Sequence, residues 1–242
     1  LLAIAAAFLL PAVPQPIDYH DFADKRSALG IENFLDVTSN LAFALVGIAG
    51  LMVTLRRQTV FAAPRERLPY VLFFIGMLLT AAGSGYYHLA PDNASLFWDR
   101  LPMTIAFMSL ICATIVDRID VRTGLLLLVP ALAVGAASVI YWILTERAGR
   151  GNVVPYAVLQ AYAVFVMLFL AVLQPSRYTH GNQIYWVFAA YMIAKLLEHF
   201  DEQLLHMGHI VSGHTLKHFA AAAAGYFVCR MLWRRRLVTP DT

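Results

Sequence analysis

From residue 34 to residue 233 the chain is a succession of apolar runs, each closed by a short polar stretch. A bilayer core about 30 Å thick takes about 20 apolar residues per helix, and the runs reach that length. Seven helical spans are predicted, at 34–55, 68–90, 95–117, 122–145, 153–174, 183–204 and 212–233. The connections are short, which makes consecutive helices neighbours in one bundle. No internal repeat or low-complexity linker divides residues 34–233, so they read as one domain. The expected fold class is all-α, a polytopic membrane protein built as a seven-transmembrane helix bundle.

Three segments flank the bundle. Residues 1–16 contain an apolar stretch, LLAIAAAFLLPAV, too short for a full span. It reads as the apolar part of a signal peptide or as an extra N-terminal helix or anchor. Pro11, Pro14 and Pro16, with no small-residue cleavage site, favour the helix or anchor. Residues 17–33 are polar and acid-rich, with Asp18, Asp21, Asp24 and Glu32. Residues 234–242 read as a tail.

Composition agrees with the pattern. The chain is 60% hydrophobic and 14% charged, against roughly half and a quarter in an ordinary soluble domain. Its mean hydropathy is +0.65. The net charge of +3 carries no argument for nucleic acid, because the basic residues sit at helix ends, as topology signals do. Arg56, Arg57, Arg65, Arg67, Arg118, Arg122, Arg177, Arg230, Arg234, Arg235 and Arg236 fall on one side, and Lys25, Arg26, Arg147 and Arg150 on the other. That bias places the C-terminus in the cytoplasm and the start of the first span outside. Cys112 and Cys229 lie inside apolar runs and read as small buried hydrophobes.

The same topology gathers the candidate chemistry. His88 falls near the outer end of the second span, Asp99 about one turn into the third, and His214 and His218 in the first two turns of the seventh. His214 and His218 are four apart, hence neighbours on one helical face, and imidazoles so spaced can grip one metal ion. His88 supplies a third ligand, and a catalytic zinc site keeps its fourth position for water. Asp99 could hold that water and carry its proton to a leaving group. Ser84, one turn from His88, could steady the water or a developing oxyanion.

The plainer readings are a packing histidine and an aspartate capping a helix. Ionisable residues inside spans are rare and usually functional, and three His with an Asp at one depth favour the metal. Glu198, His199, Asp201, Glu202, His206 and His209 lie at the same end. Glu198 and His199 either orient a ligand imidazole or replace a ligand, while most of the group reads as a solvated helix end. Lys195 and Lys217 either snorkel or pair with these acids.

GSGYYH, then FWDRLPM with Asp99 eleven residues after His88, then SGHTLKH in the last span, resemble the alkaline ceramidases. These belong with the adiponectin-receptor-like proteins in the CREST group of membrane hydrolases, and the resemblance covers nearly all of residues 18–233. It implies zinc on His88, His214 and His218, with Ser84 and Asp99 at the catalytic water. ENFLDVTSN, with Glu32, Ser39 and Asn40, is similar to the opening of the family's first span. The resemblance also implies calcium on the acidic segment, at the positions of Asp18, Tyr19, Asp21, Ala23 and Glu32. Ala23 stands where an Asn ligand is expected, with Asp24 beside it. Without the resemblance, the segment reads as a charged surface turn.

The expected function is therefore a zinc-dependent amidase that cleaves the N-acyl bond of ceramide or a related membrane lipid, with its active end on the non-cytoplasmic side. Products would be a fatty acid and a sphingoid base or amine. The alternatives are a hydrolase of another acyl lipid and a receptor-like or lipid-binding protein with structural zinc. Neither repeat symmetry nor paired broken spans supports a transporter.

Overall fold

A computed structural model describes residue 7 and residues 9–238. Among these the chain is helical, with no strand beyond two isolated bridges. From residue 34 to residue 234 the α-helices are α1 (Phe34–Ser39), α2 (Leu41–Leu55), α3 (Leu68–Leu89), α4 (Asn93–Arg118), α5 (Val121–Arg147), α6 (Val154–Leu173), α7 (Gln183–His199), α8 (Asp201–Gly208) and α9 (Gly213–Arg234).

Among the described residues, five stretches are long and apolar enough to cross a membrane: α1 with α2 as Phe34–Leu55, Pro64–Leu89 containing α3, and α4, α5 and α6. Large apolar side chains such as Leu45 and Met52 on α2, and Phe165 and Val172 on α6, are exposed. Such a belt has its natural solvent in lipid rather than water. Of the other two expected spans, α9 forms over nearly the expected 212–233 and the other is interrupted. The run at 183–204 is not one helix: α7 ends at His199, after 17 residues, and α8 begins at Asp201. α9 opens with His214, Lys217 and His218 in its first two turns.

Local chemistry sets several boundaries. Asp92 and Ser95 cap α4 reciprocally, Asp92 Oδ1 accepting the Ser95 N–H at 2.6 Å and Ser95 Oγ the Asp92 N–H at 3.0 Å. Ser212 caps α9 by accepting the Thr215 N–H at 3.1 Å. At Asn40 the first apolar run is broken between α1 and α2.

Packing runs α2 on α3, α3 on α4, α4 on α5 and α6, α7 on α9, and α9 back on α2. Two glycines permit the closest approaches. A Cβ on Gly83 would lie 1.9 Å from the Trp98 carbonyl oxygen, so α3 can sit this near α4 only with glycine there. Pro102, inside α4, lacks the N–H that would bond that carbonyl. A Cβ on Gly213 would lie 2.1 Å from the Leu197 carbonyl oxygen, which fixes the start of α9 against the end of α7.

Of the flanking segments, residues 1–6 and 8 lie outside the described residues, and with them most of the expected extra N-terminal helix; residues 11–16 are not helical. The acidic segment is more than a surface turn: Phe22, Asp24 and Asn33 are buried in it. The start of the expected tail also packs. Arg235 is buried, bonds Asp117 at 3.0 Å and stacks on the Tyr178 ring at 3.5 Å.

Candidate metal centre

The last turns of α3 carry Ser84 and His88 on one face, and the first turns of α9 carry His214 and His218. All four side chains are buried. The structure brings the three predicted imidazoles together, their potential ligand atoms all within 4.8 Å of one another. His88 Nε2 and His214 Nε2 stand 3.3 Å apart. Zinc–nitrogen bonds of about 2.0–2.1 Å in a tetrahedron separate ligand nitrogens by about 3.3–3.4 Å, so the spacing fits. Three neutral nitrogen donors without a carboxylate also suit zinc.

The bond at the far side of one ring orients it. His218 Nδ1 lies 2.7 Å from Ser39 Oγ, whose own proton goes to the Asp36 carbonyl at 3.1 Å. Ser39 therefore accepts from Nδ1–H, which leaves the Nε2 lone pair of His218 free for a metal. Phe22 covers the set, its ring centroid 4.6 Å from that of His88 and 4.5 Å from that of His214.

Asp99 and Ser84 lie beside the triad. Ser84, Asp99 and His218 all line one cavity of about 430 Å³. That volume is within the range of small-molecule sites. Away from Ser84 the walls turn apolar, through Met77 and Phe73 on α3, Leu110 on α4, Met167 on α6 and Val187 on α7. From Ser84 to Phe73 α3 rises about 16 Å at 1.5 Å per residue, so the cavity is a long apolar pocket with its polar groups at one end.

The other acids at this end are engaged elsewhere. Glu198 accepts from Lys195 and from Lys217, each at 2.6 Å, so it serves two lysines rather than a metal. His199 is exposed and meets Phe200 edge to face, and His206 pairs with Glu202 at 3.5 Å. Asp201 is no solvated helix end. Its Oδ1 accepts the His214 N–H at 2.7 Å and its Oδ2 the Ala23 N–H at 3.1 Å, tying the acidic segment to the start of α9.

The residues that the resemblance assigns to calcium do not form a second cluster. Among the described residues, the His set is the group of three or more His, Cys, Asp or Glu within metal-holding distance. Asp21 pairs with Lys25, Tyr19 faces Arg100, Ala23 bonds Asp201, and Asp18 and Glu32 are exposed. Asp24 is chelated by Arg26 at 2.7 and 2.6 Å. Those bonds hold its carboxyl below the usual carboxylate range.

Three contributors escaped the sequence reading. Asp36 is fully buried, with Oδ1 accepting from Thr215 Oγ1 at 2.5 Å and Oδ2 without a partner. Its position inside the first apolar run was the available signal. Phe22 and the bridging role of Asp201 depend on the path of the acidic segment, which no local pattern reveals. No family model matches the chain, and no curated protein matches it.

Proposed function

We propose that this chain is a seven-span intramembrane zinc-dependent amidohydrolase that cleaves the N-acyl bond of ceramide or a related lipid, with its active end on the non-cytoplasmic side. The observation that carries the reading is one juxtaposition: three converging imidazoles next to Ser84 and Asp99 on the wall of a long apolar cavity. Orientation follows from the arginines, including Arg56, Arg122 and Arg236, at the opposite helix ends.

Zinc, when held by His88, His214 and His218, supplies a Lewis acid for the acyl carbonyl and makes water nucleophilic near neutral pH. The rest falls to the protein. The apolar walls take the acyl chain and bring its amide to the polar end, the positioning contribution to the rate. Asp99 receives the proton of the attacking water on a carboxylate oxygen and passes it to the leaving nitrogen as the C–N bond breaks. Water's oxygen remains on the acyl carbon, giving a fatty acid and a free amine. Ser84 holds the Asp99 carboxylate in place, Ser39 fixes the His218 ring, and Phe22 shields His88 and His214 from bulk water.

The test is hydrolysis of N-acyl lipids by the purified protein in detergent, with and without chelator. The reading expects fatty acid release that chelation stops and zinc restores, and that Asp99→Asn abolishes while metal stays bound. Cleavage of no acyl lipid by zinc-loaded protein overturns it.

A further inference from the structure

We infer that Arg100 is a headgroup-recognition residue, and that the preferred lipid carries an anionic oxygen group, carboxylate or phosphate, on the amine side of the bond to be cut. The inference takes the lipid cavity of the preceding reading as its starting point.

Arg100 follows Asp99 on α4, lines the same cavity and is only 6% exposed. Its guanidinium lies in an aromatic cage, 4.4 Å from the Trp142 ring, 5.0 Å from Tyr156 and 5.4 Å from Tyr19. Nη2 donates to Gln15 Oε1 at 2.7 Å, and Nη1 is buried with no partner. Glu146 braces the cage without an ion pair to Arg100: its Oε1 accepts from the Gln15 backbone at 2.6 Å and from Trp142 Nε1 at 3.1 Å. Among the described residues, no carboxylate forms an ion pair with Arg100.

A buried charge is costly unless it is paired and fully hydrogen-bonded. Ring faces offset part of that cost, yet the open Nη1 and the missing counter-charge remain. The charged side chains on the cavity wall are Arg100, Lys195 and Lys217 against Asp99 and Glu198, an excess of positive charge before any metal is added. The planar guanidinium fork matches carboxylate and phosphate oxygens. Arg100 and Asp99 line the same cavity, and since Asp99 serves the leaving nitrogen, the group beside that nitrogen is the one within reach of Arg100.

The test is equilibrium binding to the full chain, stripped of metal, in neutral detergent. The probes are hexadecyl phosphate, N-palmitoylglycine and hexadecanol. Wild-type protein is expected to bind at least one of the two anionic probes about tenfold or more tightly than the alcohol; whichever anion gains more identifies the headgroup class. Arg100→Gln is expected to bring the ratio near unity, and Arg100→Lys to keep part of it. Equal wild-type affinity for all three probes overturns the inference without recourse to a variant. A ratio that survives Arg100→Gln also overturns it, assigning the anion to Lys195 or Lys217. Anion preference without cleavage of any lipid defeats the hydrolase reading and leaves Arg100 standing; cleavage of neutral amides without anion preference does the reverse.

Discussion

Ser39 Oγ stands 2.7 Å from His218 Nδ1, and the hydroxyl proton is already committed to the Asp36 carbonyl. The serine therefore acts as an acceptor and settles which ring nitrogen of His218 is free. Partners of this kind are typically worth 10–100-fold in metal affinity. Ser39→Ala is expected to weaken zinc binding by about that factor, measured by competition with a chromogenic chelator. Unchanged affinity would remove Ser39 from the site.

Gly83 lets α3 approach α4 so closely that an added Cβ would meet the Trp98 carbonyl at 1.9 Å. Gly83→Ala must push the helices apart just where Ser84 faces Asp99. Overpacking of this kind costs about 1–3 kcal/mol, to be read from the midpoint of unfolding in mixed micelles. Lipid hydrolysis should fall more than that loss explains, because the Ser84–Asp99 pair separates. Wild-type stability and turnover in the variant would contradict the close approach.

Much of this site was legible because helical periodicity puts residues four apart on one face. GSGYYH and SGHTLKH each encode such a pair, and Asp99 lies one turn inside its helix end. Ser39 was visible only as part of a resembling motif, and its bond to His218 depends on α1 meeting α9. The break at Phe200 was hidden because the apolar pattern runs through it, while the two bonds accepted by Asp201 need a turn there. Nothing local in the sequence marks Arg100. Its burial comes from Trp142, Tyr156 and Tyr19, which are distant in sequence.

Asp201 accepts backbone N–H groups from both His214 and Ala23. Asp201→Ala leaves both part-buried donors without their partner, at a cost of about 1 kcal/mol each. The acidic segment and the first turn of α9 should then exchange amide hydrogens faster together, while exchange in α5 stays as it was. Protection that persists at Ala23 would show that the carboxylate is dispensable.

Acid should release the same segment from a second point. Arg26 holds Asp24 ionised and also reaches the carbonyl oxygens of His209 and Ile210, at 3.3 and 2.6 Å. The folded-state pKa of Asp24 is lowered, so its stabilising contribution is complete above the unfolded value of about 3.9 and is lost as pH falls through the folded value. Limited proteolysis by an acid-active protease should cut near Asp24 more readily as pH drops below about 4. Asp24→Asn should be cut readily at every pH tested. Cleavage independent of pH in the wild type would reject the Asp24–Arg26 latch.

The central claim is that His88, His214 and His218 hold one zinc ion. Elemental analysis of the purified protein, wild type beside His214→Ala, tests it most directly. About one zinc per chain is expected in the wild type, and close to none in the variant. A folded wild-type protein that takes up no zinc, or a His214→Ala variant that keeps its full complement, would contradict it.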